Sequence, residues 1–316
     1  MVVVNGSHSE GKHMRRSFIV AAMSLAASVA WAQLSVVRIE PLAPGEGAWS
    51  AQQFSPEGTT LYLSTPEQNG IWEYGLVTGR LRQLVSDRGA GYGFAISPDG
   101  QELAYLRRAR GTAGVGRREI VVRNLRAGTS RVALSGKGLS LPAFSRNGTA
   151  VSATESGITS TAPLDAREVR ILGIENTKII LLRAGKKEPF DPLGNGNYIW
   201  PSLSPDRTRI LAYDMTIGAF ICDLQGNILT RLGRRDAPVW TRDGRWIIYM
   251  DDRDDGDKLL SSEIHCVSPD GKLTAQLTAT PGILEMFPVC SPTEDRIVCS
   301  TPNGGLYSIF YKEVGQ

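Results

Sequence analysis

The stretch Phe54-Ser55-Pro56-Glu57-Gly58 is the first of six related segments in this sequence of 316 residues. The other five are Ser97-Pro98-Asp99-Gly100, Ser145-Arg146-Asn147-Gly148, Ser204-Pro205-Asp206, Thr241-Arg242-Asp243-Gly244 and Ser291-Pro292-Thr293. A Ser-Pro-Asp-Gly sequence favours a type I turn, because serine suits its first position, proline presets φ at its second and glycine suits its fourth. We call these segments marker turns, and each predicts a tight connection between two strands.

The residues around the marker turns alternate as strands do. Six residues after the first position of each turn the residue is aliphatic in all six copies: Leu61, Leu103, Val151, Ile210, Ile247 and Ile297. Apolar residues with a period of two predict strands. Each unit continues with a third strand, such as Ile120-Val121-Val122, and a fourth that ends near Leu84, Leu134, Leu232 or Leu277. Four strands in roughly 40–50 residues are typical of a propeller blade.

The two ends of the chain complement each other. The sixth unit stops after a third strand, and an unassigned strand, Leu34 to Ile39, precedes the first marker turn. Placing that strand on the last unit removes an open edge. The sequence therefore predicts an all-β, six-bladed propeller over residues 33–316, with four antiparallel strands per blade and a ring closed by the N-terminal strand. A β-sandwich is the alternative, but it explains neither the six in-phase units nor the complementary ends.

The motif written as Phe54-Ser55-Pro56-Glu57-Gly58 and as Trp200-Pro201-Ser202-Leu203-Ser204-Pro205-Asp206 resembles the WD40-like (PD40) repeat of TolB-type propellers. The resemblance implies an envelope protein that binds other proteins. It departs from TolB because the chain has no room for that protein's N-terminal α/β domain. Arg207 also replaces the motif glycine, and Arg146 and Arg242 replace its proline. The resemblance is therefore not taken to imply that this protein performs TolB's own function.

The N-terminus has the pattern of an export signal. Arg15 and Arg16 precede a mainly apolar run from Phe18 to Val29, and Ala30-Trp31-Ala32 fits a cleavage site. The run is about a dozen residues, shorter than the roughly 20 that span a bilayer. A buried N-terminal helix is the alternative. We predict that residues 1–32 are an N-terminal extension with a signal peptide cleaved after Ala32, which makes the protein periplasmic or secreted.

Composition excludes several function classes. The formal charge of +3 gives no reason to expect nucleic acid. Residues 33–316 contain a single histidine, His265, which excludes histidine-clustered metal sites, and no Gly-x-Ser-x-Gly segment is present. Cys222, Cys266, Cys290 and Cys299 lie in apolar runs and are expected to be free, buried thiols.

These observations favour a non-catalytic scaffold that binds a protein or peptide partner in the bacterial envelope, without a cofactor or a membrane span. The alternative is a carbohydrate-active or lactone-hydrolysing propeller enzyme with a carboxylate-bound metal in its central channel.

Two charged loops follow second strands and are expected on one mouth of the ring. The loop of the second unit carries Arg107, Arg108 and Arg110, and that of the fifth carries Asp251, Asp252 and Asp254. In a ring of six they would face each other and steer a charged partner. The acidic loop departs from an EF-hand, since Arg253 and Ser262 take the third and twelfth positions. A solvated loop and a propeller-specific calcium site both remain open.

Other candidate residues precede the innermost strands and are expected to line the same mouth. They are Trp49, Tyr92, Tyr198, Trp200, Arg235, Asp236 and Met286. Aromatic side chains beside a charged pair are typical of recognition surfaces. Residues 155–177 make the third unit about twenty residues longer than its neighbour. This insertion either elaborates the binding face or forms a hairpin that extends the blade.

Overall fold

The computed structural model describes residues 32–109, 117–154 and 157–315. These residues form seven antiparallel sheets of three or four strands. The chain begins with β1 (Ala32–Leu42). Blade 1 contains β2 (Ser50–Phe54), β3 (Thr60–Ser64), β4 (Ile71–Gly75) and β5 (Leu81–Val85). A 3-10 turn at Ala90–Tyr92 leads into blade 2.

Blade 2 has four strands, and the next two blades have three each. Blade 2 contains β6 (Phe94–Ile96), β7 (Glu102–Arg108), β8 (Arg117–Asn124) and β9 (Ser130–Lys137). Blade 3 contains β10 (Ala143–Phe144), β11 (Ala150–Thr154) and β12 (Gly157–Ser160). Blade 4 contains β13 (Arg170–Glu175), β14 (Lys178–Arg183) and β15 (Lys186–Phe190).

The last three blades return to four strands. Blade 5 contains β16 (Tyr198–Leu203), β17 (Arg209–Asp214), β18 (Gly218–Asp223) and β19 (Ile228–Gly233). Blade 6 contains β20 (Asp236–Trp240), β21 (Ile247–Asp254), β22 (Leu259–Val267) and β23 (Thr274–Gln276). Blade 7 contains β24 (Met286–Cys290), β25 (Arg296–Ser300) and β26 (Leu306–Gly315), and β1 pairs antiparallel with β26 as its fourth strand.

Neighbouring blades pack face to face around a ring. Strand β6 contacts β10, β12 contacts β15, β13 contacts β16, β17 contacts β20, β20 contacts β24, and β24 contacts β2 of blade 1. Blades 1 and 2 share an apolar cluster that includes Tyr62, Leu84 and Leu103. The strand pattern supplies these contacts, because alternate side chains of a buried strand face the two adjacent blades. The prediction of an all-β propeller is therefore confirmed.

The prediction of six blades with four strands each is wrong, because the third unit of the sequence forms two blades of three strands. The insertion at residues 155–177 supplies β12 to blade 3 and β13 to blade 4. Leu172 packs toward Val151 of blade 3, whereas Ile171 packs in the cluster shared with blade 5. Blade 4 begins directly with β13 and has no marker turn, so a count of marker turns misses it. The insertion is thus part of the ring rather than a loop or an extension of one blade.

Strand direction assigns the connections to two faces. Marker turns join first and second strands, so they lie on one face, which we call the marker face. The connections between second and third strands, and those between blades other than the one from β12 to β13, lie on the opposite loop face. The connection from β12 to β13 lies on the marker face, because its Glu168 accepts from the backbone N–H of Arg146 in the marker turn of blade 3. Blades 2 and 6, which carry the arginine-rich and aspartate-rich segments, are separated by three blades on one side and two on the other. The expectation that these segments face each other across the ring therefore needs correction.

Candidate binding face

Three consecutive blades carry the same bulge at the loop-face end of the innermost strand. Trp200, Ala237 and Phe287 have φ values of 51°, 46° and 50°, and each directly precedes a proline. The strand register shifts at each of these positions. Non-glycine residues rarely adopt positive φ, and a bulge re-aims the side chain. Trp200 and Phe287 are exposed as a result, at 37% and 44% of their surface.

A series of side-chain contacts, first aromatic and then polar, links Trp200 to blade 6. The Trp200 ring meets Tyr213 edge to face, with centroids 5.5 Å apart. Burial, followed by a hydrogen bond to Asp236, raises the pKa of Tyr213. The Asp236 carboxylate also accepts from the Arg234 guanidinium at 3.2 Å. Asp236 is therefore held between a phenol and a cation beside an exposed indole.

Further predicted residues lie next to this group. The Ser262 hydroxyl donates to Asp252 at 2.5 Å, and burial, with a smaller contribution from Asp236, raises the pKa of Asp252. Arg235 stacks over the Tyr249 ring at 4.8 Å. Asp251 lies 3.9 Å from His265, whose pKa is lowered by burial. We call Trp200, Arg234, Arg235, Asp236, Asp251 and Asp252 the mouth group.

The remaining predicted residues are dispersed. The Trp49 ring is buried and meets Trp72 edge to face at 5.1 Å. Tyr198 is 1% exposed, and its hydroxyl donates to Asp191 at 2.6 Å. Tyr92 is exposed on the 3-10 turn, Met286 is half-buried at the start of β24, and Asp254 is exposed. Packing therefore occupies the rings of Trp49 and Tyr198, whereas Tyr92 and Asp254 face solvent.

The arginine-rich segment is partly neutralised. Arg107 lies 2.9 Å from Glu119 and 3.8 Å from Asp87. Arg108 is exposed at the end of β7. Arg110 lies outside the described residues. Arg107 is thus committed to two carboxylates, and Arg108 is the better placed of the two described arginines to meet a partner.

A cleft of about 610 Å³ lies on the loop face between blades 7 and 1, at a place that no sequence motif predicted. Its walls are the connection from β1 to β2, residues 282–284 before β24, and the turn between β25 and β26. Every residue that lines it is uncharged, and Trp49 and Tyr307 supply its aromatic surface. The available signal was the density of glycine, at Gly45, Gly47, Gly304 and Gly305.

One of these glycines holds two walls together. The Trp49 backbone N–H donates to the Gly304 carbonyl at 2.9 Å. Gly304 has φ +83°, and a Cβ at this position would lie 2.3 Å from the Ala48 Cβ. No larger residue fits that separation without moving the backbone. The cleft therefore depends on close approach of the main chain at Gly304.

A buried glutamate anchors the third wall. Glu285 is fully buried, and its backbone N–H donates to the Ser262 carbonyl at 3.0 Å. Its carboxyl group accepts from the Thr280 hydroxyl and lies 3.2 Å from the Thr278 hydroxyl, which is also 2.9 Å from Glu263. Burial, then the charge of Glu263, raises the pKa of Glu285 to about 7. Glu285 is therefore protonated in mildly acidic solution.

The described residues contain neither a metal-binding cluster nor a membrane-spanning helix. In the segments 32–109, 117–154 and 157–315, no three histidine, cysteine or acidic side chains are grouped so as to hold a metal ion. No helix in that part of the chain has the length and apolarity to cross a membrane. Cys222, Cys266, Cys290 and Cys299 are all free thiols.

Comparison with known proteins supports the fold alone. No family model matches the sequence, and no curated protein matches it significantly. Among solved structures, the chain is similar to the WD40 repeats of RRP9, with a TM-score of 0.59, 10% identity, and coverage of 89% of this chain and 100% of that one. An oligogalacturonate lyase in complex with manganese gives a TM-score of 0.49 at 13% identity, covering 85% and 79% of the two chains. The chain therefore has a WD40-like β-propeller fold.

Proposed function

We propose that this propeller is a non-catalytic scaffold that captures a protein or peptide partner on its loop face. The observation that carries the proposal is the uncharged cleft between blades 7 and 1. Its volume of about 610 Å³ is in the range of small-ligand sites. Loops on a rigid ring can vary without disturbing the core, which makes this face suited to recognition.

The cleft favours an uncharged, extended peptide segment as its occupant. A charged side chain would lose hydration there without meeting an opposite charge, at a cost of several kcal/mol. Gly45, Gly47, Gly304 and Gly305 bring main-chain groups to the surface of the walls, and an extended peptide can hydrogen-bond to such groups. Tyr307 and the edge of Trp49 offer apolar contact. Asp252 of the mouth group is linked through the Ser262 hydroxyl to the Glu285 carbonyl, next to the cleft wall. Charged contacts there would affect association rate and register.

The proposed location is the periplasm or the exterior of the cell. The basic start, the apolar run and the Ala30-Trp31-Ala32 site support it, and residues 1–31 lie outside the described part of the chain. A TolB-like role in the envelope is proposed on the motif resemblance. N-terminal sequencing of the exported protein tests the location: we expect Gln33 first, and retention of Arg15 to Ala32 would contradict it.

The cleft is tested with two aliphatic-to-aspartate variants. Peptides are first selected on the wild-type protein from a displayed random library. Ile283→Asp places a charge in the cleft wall, and we expect it to weaken the selected peptides at least tenfold. Val77→Asp is the matched control, since Val77 is 92% exposed in a turn of the marker face. Equal binding by both variants would refute the cleft as the docking site.

Crosslinking identifies the face independently. A photoreactive residue at Asn303, exposed in the turn between β25 and β26, should form adducts with the selected peptides. The same residue at Glu57, exposed in the marker turn of blade 1, should not. Adducts confined to Glu57 would place the partner on the opposite face.

A further inference from the structure

Two departures from the marker-turn motif meet on the marker face. Arg146 stands where the motif has proline, in the turn of blade 3, and Arg207 stands where it has glycine, in the turn of blade 5. Between these turns lies blade 4, which begins with β13. Glu168 lies two residues before β13, and Arg170 is the first residue of that strand. Arginines from three blades are thereby brought to one place.

All three arginine residues converge on one carboxylate oxygen. Glu168 Oε1 accepts from the Arg146 backbone N–H at 2.9 Å and from the Arg170 guanidinium. Arg207 Nη1 lies 4.0 Å from the same oxygen. The Glu168 side chain is only 3% exposed, so these contacts are shielded from water. A single negative charge thus lies beside the guanidinium groups of Arg170 and Arg207, and the Arg146 charge is close enough to lower the pKa of Arg207.

The cluster has donors in excess of acceptors. Within the described residues, Arg170 Nη2 and Arg207 Nη1 are buried and have no hydrogen-bond acceptor. Buried polar groups are normally paired, and an unpaired one costs about 1–3 kcal/mol. Burial, followed by the charges of Arg170 and Arg146, lowers the pKa of Arg207. The cluster therefore lacks negative charge as well as acceptor atoms.

We infer that Arg146, Arg170 and Arg207 form a binding site for a tetrahedral oxyanion of the phosphate class. An oxyanion supplies several acceptor atoms and offsets the two uncompensated positive charges at once. Guanidinium groups match its geometry, since their donors lie in a planar fork. Arg207 is 35% exposed and the Arg146 side chain is exposed, so the ligand has a route from solvent. The site lies on the opposite face from the proposed peptide cleft and does not depend on it.

Thermal unfolding with inorganic phosphate tests the site. Sodium phosphate is compared with sodium chloride at equal ionic strength and pH 7. We expect phosphate to raise the Tm of the wild-type protein by about 3 °C at a concentration tenfold above its dissociation constant. No shift relative to chloride would overturn the inference.

Three variants distinguish phosphate binding at this site from a nonspecific effect of phosphate on the whole protein. Arg207→Gly restores the motif glycine at φ +60°, a conformation that glycine adopts freely, so the fold should persist. Arg146→Ser removes a second cluster member. Arg242→Ser is the matched control, because Arg242 occupies the same turn position in blade 6 and pairs with Asp295 at 3.0 Å. The phosphate shift should vanish in the first two variants and persist in the third. An equal shift in all three would overturn the inference.

Binding to lipid vesicles distinguishes a lipid phosphate from a soluble one as the ligand. Co-sedimentation with phosphatidylglycerol vesicles that is lost in Arg207→Gly, together with the phosphate shift, assigns the site to a lipid headgroup. A phosphate shift without vesicle binding assigns it to a soluble phosphate or phosphorylated ligand. Vesicle binding that Arg207→Gly retains, together with an unchanged phosphate shift in that variant, overturns the site.

Discussion

Replacing Glu285 with glutamine should remove a pH dependence from the stability of this propeller. Glu285 is fully buried below the cleft wall, facing Thr278, Thr280 and the Glu263 carboxylate. Two other titratable groups face it: Cys299 on β25, and Asp252 through Ser262. Glutamine preserves the shape of a protonated carboxyl group and keeps a donor for Glu263. The variant therefore resembles the protonated side chain at every pH.

The sign follows from the raised pKa. Glu285 titrates near 7 in the folded protein and near 4.5 when unfolded, so the folded state holds the extra proton between these values. The free energy of unfolding therefore decreases as pH rises from about 4.5 to about 7. A difference of about 2.5 pKa units at about 1.4 kcal/mol each gives a loss of at most about 3–4 kcal/mol.

Denaturant unfolding at pH 5, 6, 7 and 8 measures this loss. Glu285→Gln should match the wild-type protein at pH 5 and exceed its free energy of unfolding by about 2–3 kcal/mol at pH 8. Glu67→Gln is the control, because Glu67 is exposed on the same face, in the loop between β3 and β4. The other titrating groups are common to all three proteins and cancel in the comparison. If Glu285→Gln keeps the wild-type pH slope, the assignment of the proton to Glu285 is wrong.

Two further predictions concern packing. Gly304→Ala should lower the free energy of unfolding by about 2–3 kcal/mol, because its Cβ would clash with Ala48 at positive φ. Gly282→Ala is the control and should lower it by about 1 kcal/mol, since Gly282 has φ +81° and open space around it. Equal losses in denaturant unfolding would contradict the close approach at Gly304. Burial raises the pKa of the Cys222 and Cys266 thiols to about 12, and the pKa of the other two thiols is also raised. Cys222, Cys266 and Cys299 are buried, whereas Cys290, expected from the sequence to be buried as well, is half-buried. Alkylation at pH 8 should therefore leave the three buried thiols unlabelled in the folded protein and label all four after denaturation, as measured by mass spectrometry. Rapid labelling of any of those three in the folded protein would refute their burial.

The marker turns predicted strand positions well, since local turn chemistry and period-two alternation act within a few residues. Leu61, Leu103 and Ile297 lie in second strands as expected and are fully buried. Blade 4 was not predicted because its separation from blade 3 depends on tertiary packing and not on a local motif. Strand β13 pairs with β14, and Leu172 packs on blade 3. No turn motif records those contacts.

Site residues were harder to predict for the same reason. Tyr198 and Trp200 are two residues apart before the same marker turn, yet Tyr198 is in the core and Trp200 is exposed. The bulge at Trp200 separates their environments, and positive φ at a tryptophan has no sequence signature. The cleft forms where three connections from distant parts of the chain approach one another. In the sequence, only the glycines of these connections indicated a close approach.

Hydrogen exchange with a library-selected peptide bound tests the central claim most directly. The loop face should be protected at residues 43–49, 282–285 and 301–305, and the marker turns should exchange at their free rate. Protection confined to the marker turns, with no change at those three segments, would contradict the proposal that this propeller captures its partner on the loop face.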